Sequence, residues 1–292
     1  MEVTEQALVL QIGRFREADV WVRFFSSSRG VATAFAFGGA HSRRRFSGCL
    51  DVLNHVLFRV KPNRTGDYLI LKDGIFVRNW PQLRADWQRG MPALSCCRFT
   101  EAVGQGSEGA MTIFRLLLET MNALDVMPTS KYGANFMTLV PMWFRVRLAF
   151  ELGFAPELDC CLECGRFLLP DWTILENDSE VGSVGWGSGD IPAASINSED
   201  PFVIGRFAIE QGRMLCPDCV ASLAGSFSIH CRTLAVSPGS LATLRFIRHE
   251  PPSLWSRLRL IPTVRRECAA LIDHFIEFHM GLAWDKGRLI RV

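Results

Sequence analysis

The chain has 292 residues, of which 48% are hydrophobic and 21% charged, and its formal net charge is +2. This composition excludes a disordered tail protein, and the length is sufficient for two or three domains with cores of their own. The most apolar helical stretch, 136–154, contains Arg145 and Arg147, and no basic and apolar leader opens the sequence, so we expect a cytoplasmic protein without a membrane span.

The charge is distributed unevenly along the chain. Residues 1–80 hold twelve basic and seven acidic side chains, and residues 236–292 hold nine and five. Residues 171–215 hold two basic and eight acidic side chains. Both ends of the chain therefore suit a polyanion, and the acidic segment does not.

Five short runs rich in β-branched and aromatic residues predict strands in the first part of the chain. They are Ala7–Ile12, Val20–Phe25, Gly30–Phe37, Val52–Val60 and Tyr68–Val77. In the third run, bulky residues alternate with alanines, which places the large side chains on one face. Five antiparallel strands of this length suit a small Greek-key barrel of the OB type, a fold that often binds single-stranded nucleic acid.

A basic loop is predicted between the third and fourth strands. Arg43, Arg44 and Arg45 lie in a connection bounded by Gly38 and Gly48, and we expect them to project from the barrel and contact phosphates. Other side chains of the barrel could extend this contact, by charge from Arg14, Arg16, Arg29, Lys61 and Arg64, and by stacking from Trp21, Phe35, Phe37 or Phe46. The alternative is a solvated loop beside aromatic residues of the core.

Beyond the barrel, hydrophobic residues recur at helical spacing. One predicted helix covers 111–124, with Ser107 as its N-cap, and a second covers 139–150 and ends at Gly153. A third covers 264–276. We expect the helices before and after the cysteine-rich segment to pack as one α-domain.

Two C-x-x-C pairs predict a metal site. Cys161 with Cys164 and Cys216 with Cys219 can each aim two sulfurs at one ion, and four thiolates fill the tetrahedral sphere of Zn²⁺. Because no position is left for water, we expect a structural zinc rather than a catalytic one, with a redox pair as a further alternative. Cys160 could replace Cys161 as ligand, although the spacing favours Cys161. Part of the acidic, glycine-rich insert at 171–215 is expected to be a mobile loop.

Together these patterns predict an α+β multidomain fold, in which an N-terminal OB-fold β-barrel is followed by an α-helical domain carrying a four-cysteine zinc module. We place the barrel at 1–80, the first helical part at 81–157, the zinc module with its insert at 158–230 and the second helical part at 231–292. The chain contains no G-x-x-x-x-G-K-[ST], H-E-x-x-H or G-x-S-x-G motif, so we do not expect an enzyme.

This order of parts resembles the RecO family of bacterial recombination mediators. The likeness is carried by Ala7–Ile12 with Gly13, Arg14, Glu17 and Asp19, by the strand from Gly30 to Gly38 and Ala40, by Gly153, Pro156, Gly165 and Gly212 around the cysteine pairs, and by Phe275, Ile276, His279 and Gly281. The resemblance implies a non-enzymatic DNA-repair protein that binds single- and double-stranded DNA and anneals complementary strands. It also implies cooperation with RecR, which helps RecA to replace single-strand binding protein, and association with the nucleoid.

By position, the resemblance implies DNA contacts from the loop at 43–45 and zinc bound by the two cysteine pairs. Two other classes of protein remain open. A zinc-ribbon transcription factor or RNA-binding regulator would bind selectively by sequence and would not anneal strands. A zinc-dependent nucleic-acid enzyme would need an open metal position and would lose turnover when a ligand cysteine is replaced.

Overall fold

The computed structural model describes residues 2–42, 44–104, 106, 108–128, 131–168, 203–223, 232–285 and 288–291. Most of the acidic insert, at 169–202, lies outside these ranges, and so does the loop predicted there. The chain divides into two compact units, of which the first comprises Met1–Phe154, Glu250–Ser256 and Trp284–Ile290, and the second Ala155–His249, Arg257–Ala283 and Arg291–Val292. The four-part division made from the sequence stays a prediction.

The first unit opens with a closed five-stranded barrel. Its strands are β1 (Val3–Arg14), β2 (Val20–Ser26), β3 (Gly30–Ala36), β4 (His55–Pro62) and β5 (Leu69–Arg78), in the order β1-β2-β3-β5-β4. This arrangement confirms the predicted OB-like barrel. One pair differs from the expected antiparallel pattern, because β3 and β5 are parallel where the barrel closes. The fourth strand also begins later than predicted, since Leu53 has a φ of 63° and lies in the turn before it.

The interior of the barrel follows the alternation read from the sequence. Ala34 and Ala36 point inward from β3 and are completely buried, together with Val22, Phe24 and Phe58. The rings of Phe24 and Phe58 meet edge to face at 5.5 Å. Because small residues fill the inner side of β3, its bulky residues are directed to the outer surface.

Four helices complete most of the first unit. They are α1 (Pro81–Ala85), α2 (Trp87–Val103), α3 (Ala110–Val126) and α4 (Lys131–Glu151). The prediction of Ser107 as the N-cap of α3 is wrong, because Gly109 occupies that position in the left-handed conformation. The predicted end of α4 is confirmed by Gly153, whose φ is 87°. Helix α3 contacts the barrel through Phe114, whose ring stacks on Phe25 of β2.

Two short 3-10 segments also belong to the fold. Gly39–His41 follows β3, and Pro252–Arg257 lies much later in the chain. Trp255 in the second segment is completely buried and contacts Trp143 of α4 edge to face, at a centroid distance of 6.3 Å. Burial of two tryptophans at one contact contributes substantially to the core of the helical part.

The second unit is built on a small sheet that was not predicted. Its strands are β6 (Glu157–Cys161), β7 (Gly205–Ala208), β8 (Arg213–Leu215) and β9 (Thr233–Val236), in the order β6-β8-β7-β9, and its helices are α5 (Pro217–Leu223), α6 (Pro238–His249) and α7 (Pro262–Met280). Helix α7 confirms and extends the predicted third helix. It packs on the sheet through Phe275, which contacts Phe207 of β7.

The chain ends in two short strands, β10 (Leu282–Asp285) and β11 (Arg288–Arg291), which form a two-stranded sheet. Gly281 separates α7 from β10 and has a φ of 61°, the left-handed conformation that commonly ends a helix. None of the helices in the described ranges is long and apolar enough to cross a membrane.

Candidate metal centre and nucleic-acid surface

The four predicted ligand cysteines lie together in the second unit. The sulfur atoms of Cys161, Cys164, Cys216 and Cys219 are all within 4.8 Å of one another. Cys161 ends β6 and Cys216 follows β8, and the parallel pairing of these two strands brings the two cysteine turns side by side. The cluster contains Cys161 and not the adjacent Cys160.

The spacing of the sulfurs suits a tetrahedral ion. Four Zn–S bonds of about 2.3 Å place neighbouring sulfurs about 3.8 Å apart. The sulfurs of Cys164 and Cys216 are 3.7 Å apart. The cluster can therefore hold a metal ion that prefers four sulfur ligands.

The backbone of the first turn is arranged around the sulfur of Cys161. The amide of Gly165 donates to the carbonyl oxygen of Cys161 at 3.0 Å, and the φ of Gly165 is 70°, which favours glycine. The amide of Cys161 donates to the carbonyl oxygen of Arg166 at 2.8 Å and closes the turn. From the second turn, the amide of Cys216 donates to the sulfur of Cys161 at 3.3 Å.

The electrostatics of the cluster favour a bound cation. Burial opposes ionisation of the Cys161 thiol, but hydrogen bonds from the backbone of Cys164, Cys216 and Glu163 outweigh it and lower its pKa from 9.0 to about 6. Interactions with the sulfurs of Cys216 and Cys164 raise the pKa of Cys219. One thiolate therefore forms readily, and the full set of four requires a positive ion among them.

The outer surface of the barrel carries a second candidate site, which we call the aromatic band. It consists of Phe15 in the β1–β2 loop, Phe35 on β3, Phe37 just after β3 and Tyr68 just before β5. The ring of Phe35 lies 5.3 Å from Phe15 and 5.3 Å from Tyr68, and Phe15 lies 6.4 Å from Phe37. Phe15, Phe37 and Tyr68 are 41%, 37% and 38% exposed. Contiguous exposed aromatic rings on an OB barrel are suited to stacking with bases.

Trp21 adjoins the aromatic band on β2. It pairs with Phe35 of β3 on one side and with Gly13 of β1 on the other. A side chain at Gly13 would overlap the indole ring, so glycine is needed there for Trp21 to lie against β1. Trp21 is half-buried.

Two arginines, Arg16 and Arg45, contact residues of the aromatic band. The guanidinium of Arg16 lies 5.1 Å from the centre of the Phe15 ring. Arg45 donates from Nη2 to the carbonyl oxygen of Phe37 at 2.6 Å, so the basic loop is joined to the end of β3. This places a positive charge beside rings that can stack on bases, the combination that single-strand binding surfaces use.

The structure places the other predicted DNA-binding residues in different environments. Arg14, Arg44 and Arg64 are exposed and Lys61 is half-buried, whereas Arg43 lies outside the described residues. Arg29 is in an ion pair with the buried Glu5, at 2.6 Å from Nε to Oε1. Arg29 precedes β3, whereas the aromatic band lies at the other end of that strand, so the charge of Arg29 is paired away from the band.

Two aromatic residues change role relative to the sequence prediction. Phe46 was considered for stacking but is only 3% exposed and belongs to the barrel core, so that prediction is wrong. Phe15 and Tyr68 were not predicted. The signal that could have found them is the presence of a large aromatic residue in a short polar connection, where burial is not expected.

Comparisons with known proteins agree with this architecture. Residues 1–78 match the family model described as "Recombination protein O N terminal", and residues 84–189 match "Recombination protein O C terminal". Proteins named DNA repair protein RecO are similar over their full lengths, with 39% identity in Nitratidesulfovibrio vulgaris strain Hildenborough, 38% in Oleidesulfovibrio alaskensis and 31% in Lawsonia intracellularis, each match covering 100% of both chains. The first family match ends where β5 ends, so it coincides with the barrel.

Proposed function

The chain belongs to the RecO family of DNA repair proteins, and on that basis we propose that its barrel binds DNA and that the protein anneals complementary strands without catalysing a reaction. The observation that carries this proposal is the aromatic band with its neighbouring arginines. An exposed aromatic cluster costs stability in water, and a ligand with flat apolar faces relieves that cost.

Single-stranded DNA fits the aromatic band better than duplex DNA does. Bases of a single strand are free to stack on Phe15, Phe35 and Tyr68, and stacking contributes about 1–3 kcal/mol per base. In a duplex the bases already stack on one another. Double-stranded DNA would therefore be held mainly by arginines that contact phosphates, with lower affinity and stronger dependence on salt.

Annealing follows from charge neutralisation. Two strands repel each other through their phosphates, and a basic surface that holds one strand lowers this repulsion for the second. Base pairing then supplies the free energy, so neither a nucleotide nor a catalytic residue is needed. The pairing of stacked bases with a second strand would also release them from the aromatic band, which allows turnover of the protein between sites.

Family membership supports a wider role in recombination. We propose that the protein acts with RecR on DNA coated by single-strand binding protein, and thereby helps RecA to load. Cytoplasmic, nucleoid-associated location is the corresponding prediction.

For the cysteine cluster we propose structural zinc. Four sulfurs fill the tetrahedral sphere of Zn²⁺ without a position for water, and such sites contribute directly to folding. Replacing Cys164 by serine should abolish stoichiometric zinc in the purified protein, as measured by mass spectrometry of the metal. The matched control is Cys160→Ser, which should retain zinc, because Cys160 is adjacent to the cluster but not part of it.

The DNA-binding proposal is tested by comparing aromatic and basic variants in fluorescence anisotropy with a labelled single strand. The variants Phe35→Ala and Tyr68→Ala should lower affinity about tenfold or more while leaving the slope of affinity against salt unchanged. The double variant Arg44→Ala with Arg45→Ala should reduce that slope. Phe76→Ala is the matched control, since Phe76 is 41% exposed on β5 but is not part of the band.

Equal losses of affinity in Phe76→Ala and Phe35→Ala would contradict the assignment of the band.

Annealing is measured separately, with complementary oligonucleotides coated by single-strand binding protein and no nucleotide. The Phe35→Ala variant should anneal slowly. Sequence-selective binding by a wild-type protein that does not anneal would instead favour the regulatory DNA- or RNA-binding class.

A further inference from the structure

An ion pair joins the two cysteine turns of the candidate metal centre. Arg166 follows Cys164 by two residues, and Asp218 lies directly before Cys219. Nη1 of Arg166 is 2.6 Å from Oδ2 of Asp218. The two side chains are 62% and 68% exposed, and an exposed pair of this kind contributes little to folding by itself.

The ion pair lies beside a metal centre that would be negatively charged, so the charges of its two members affect the centre. Four thiolates around Zn²⁺ carry a net charge of −2, and the carboxylate of Asp218 adds a further negative charge beside them. The guanidinium of Arg166 is the opposite charge at the same place. The ion pair joins the turn that carries Cys164 to the turn that carries Cys219, so this one cation lies at the junction of the two turns.

The position of Arg166 does not depend on its side chain. The carbonyl oxygen of Arg166 accepts a hydrogen bond from the amide of Cys161, and this bond closes the first cysteine turn. A substitution at Arg166 therefore changes the charge and leaves the backbone of the turn in place. Asp218 likewise lies in the first turn of α5, between two cysteines whose backbone the helix positions.

We propose that Arg166 and Asp218 set the retention of the metal in opposite directions: Arg166 stabilises the metal-bound thiolates by its positive charge, and Asp218 opposes them. Arg166 is a positioning and charge-compensating residue of the centre and does not bind the metal. This proposal rests on the proposed zinc site and adds to it the residue that governs how firmly zinc is held.

The experiment measures transfer of zinc from the full-length protein to a chromophoric chelator. Arg166→Gln should release zinc about threefold to tenfold faster than wild type, as expected for the loss of one nearby charge at a solvent-exposed site. Asp218→Asn should release it more slowly than wild type. Arg166→Lys, which keeps the charge, should release it at nearly the wild-type rate. All these differences should shrink as salt is raised.

If the ion pair acted only by holding the two cysteine turns together, the rates of zinc release would follow a different pattern. Breaking the ion pair from either side would then accelerate release equally, and that outcome, or rates that none of the substitutions changes, would overturn the proposal. Metal content is measured before transfer begins. A wild-type protein without bound metal would overturn the metal centre itself, whereas a loaded protein with unchanged rates would overturn only the role of Arg166.

Discussion

At the scale of single residues, His55 is distinguished by burial without a hydrogen bond. It lies on β4, is 5% exposed, and neither of its ring nitrogens has a hydrogen-bond partner among the residues that the structure describes. Its ring meets Phe114 of α3 edge to face at 5.5 Å. Burial, and secondarily the charge of Arg78, lowers the pKa of His55 from 6.5 to about 4. The folded protein therefore keeps this side chain neutral under conditions in which the unfolded chain protonates it.

This difference predicts that acid destabilises the first unit. The unfolded chain binds a proton at His55 below about pH 6.5, and the folded protein does so only near pH 4. The free energy of unfolding is therefore unaffected by His55 above pH 6.5 and decreases as the pH falls from 6.5 towards 4. The loss between pH 7 and pH 5 amounts to about 2 kcal/mol. Urea denaturation at both pH values measures it.

The matched variant for this test is His55→Leu, which keeps an apolar volume at the site and removes the titration. Its stability should fall less than that of wild type over the same interval. Hydrogen bonds to Glu5 outweigh its burial and lower its pKa from 4.5, so the contribution of Glu5 to stability is lost mainly below pH 4.5, outside this interval. Identical pH dependence in the two proteins would show that His55 is protonated, or solvated, in the folded state.

At the scale of elements, the β2–β3 hairpin shows how a turn is adapted to its neighbour. Gly30 opens β3 with a φ of 73°, and a side chain there would overlap the carbonyl oxygens of Gly104 and Gly106 in the connection between α2 and α3. The amide of Val31 donates to the oxygen of Gly104 at 2.9 Å. The hairpin therefore contacts the helical part through backbone groups, and glycine is the residue that permits it.

Gly30→Ala should lower the free energy of unfolding by more than about 3 kcal/mol, because backbone strain is added to an overlap that no flexible side chain can relieve. Gly66→Ala is the control. Gly66 also has a positive φ, 86°, but no atom of the described part of the chain lies within 4 Å of the carbon that alanine would add, so only the strain of about 1–2 kcal/mol is expected. Equal destabilisation in thermal or urea unfolding would mean that the α2–α3 connection moves aside.

At the scale of the whole molecule, the two candidate sites belong to different compact units. The aromatic band lies within Met1–Phe154, and all four ligand cysteines lie within Ala155–His249. Each site is thus built on its own set of strands. The metal is expected to support the strands and the helix that carry its ligands, which are β6, β8 and α5.

Removal of the metal should accordingly have a local effect. After treatment with a chelator, amide hydrogen exchange should accelerate in β6, β8 and α5, while the barrel strands keep their protection and the affinity for single-stranded DNA remains within about twofold of the untreated protein. The Cys160→Ser variant should behave as wild type in both measurements. Loss of protection in the barrel would show that the metal centre supports the first unit as well.

The amino-acid sequence by itself determined the parts of this protein that depend on local spacing. Alternation along 31–37 predicted which face of β3 is bulky, because successive side chains of a strand point in opposite directions. The two C-x-x-C turns predicted which four cysteines gather in the candidate metal centre, because two intervening residues are sufficient to aim two sulfurs at one point. The helices of 111–124, 139–150 and 264–276 were likewise visible as periods of three and four.

Only the tertiary structure decided which distant residues meet. Closure of the barrel by the parallel pairing of β3 with β5 brings Tyr68 to Phe35. In the folded protein Phe46 is buried in the barrel core, whereas Phe15 in the β1–β2 loop is exposed. The strands of the second sheet, three to five residues long, are too short to show a period. Their positions depend on pairing between segments far apart in the chain, which is a property of the packed molecule and not of any local pattern.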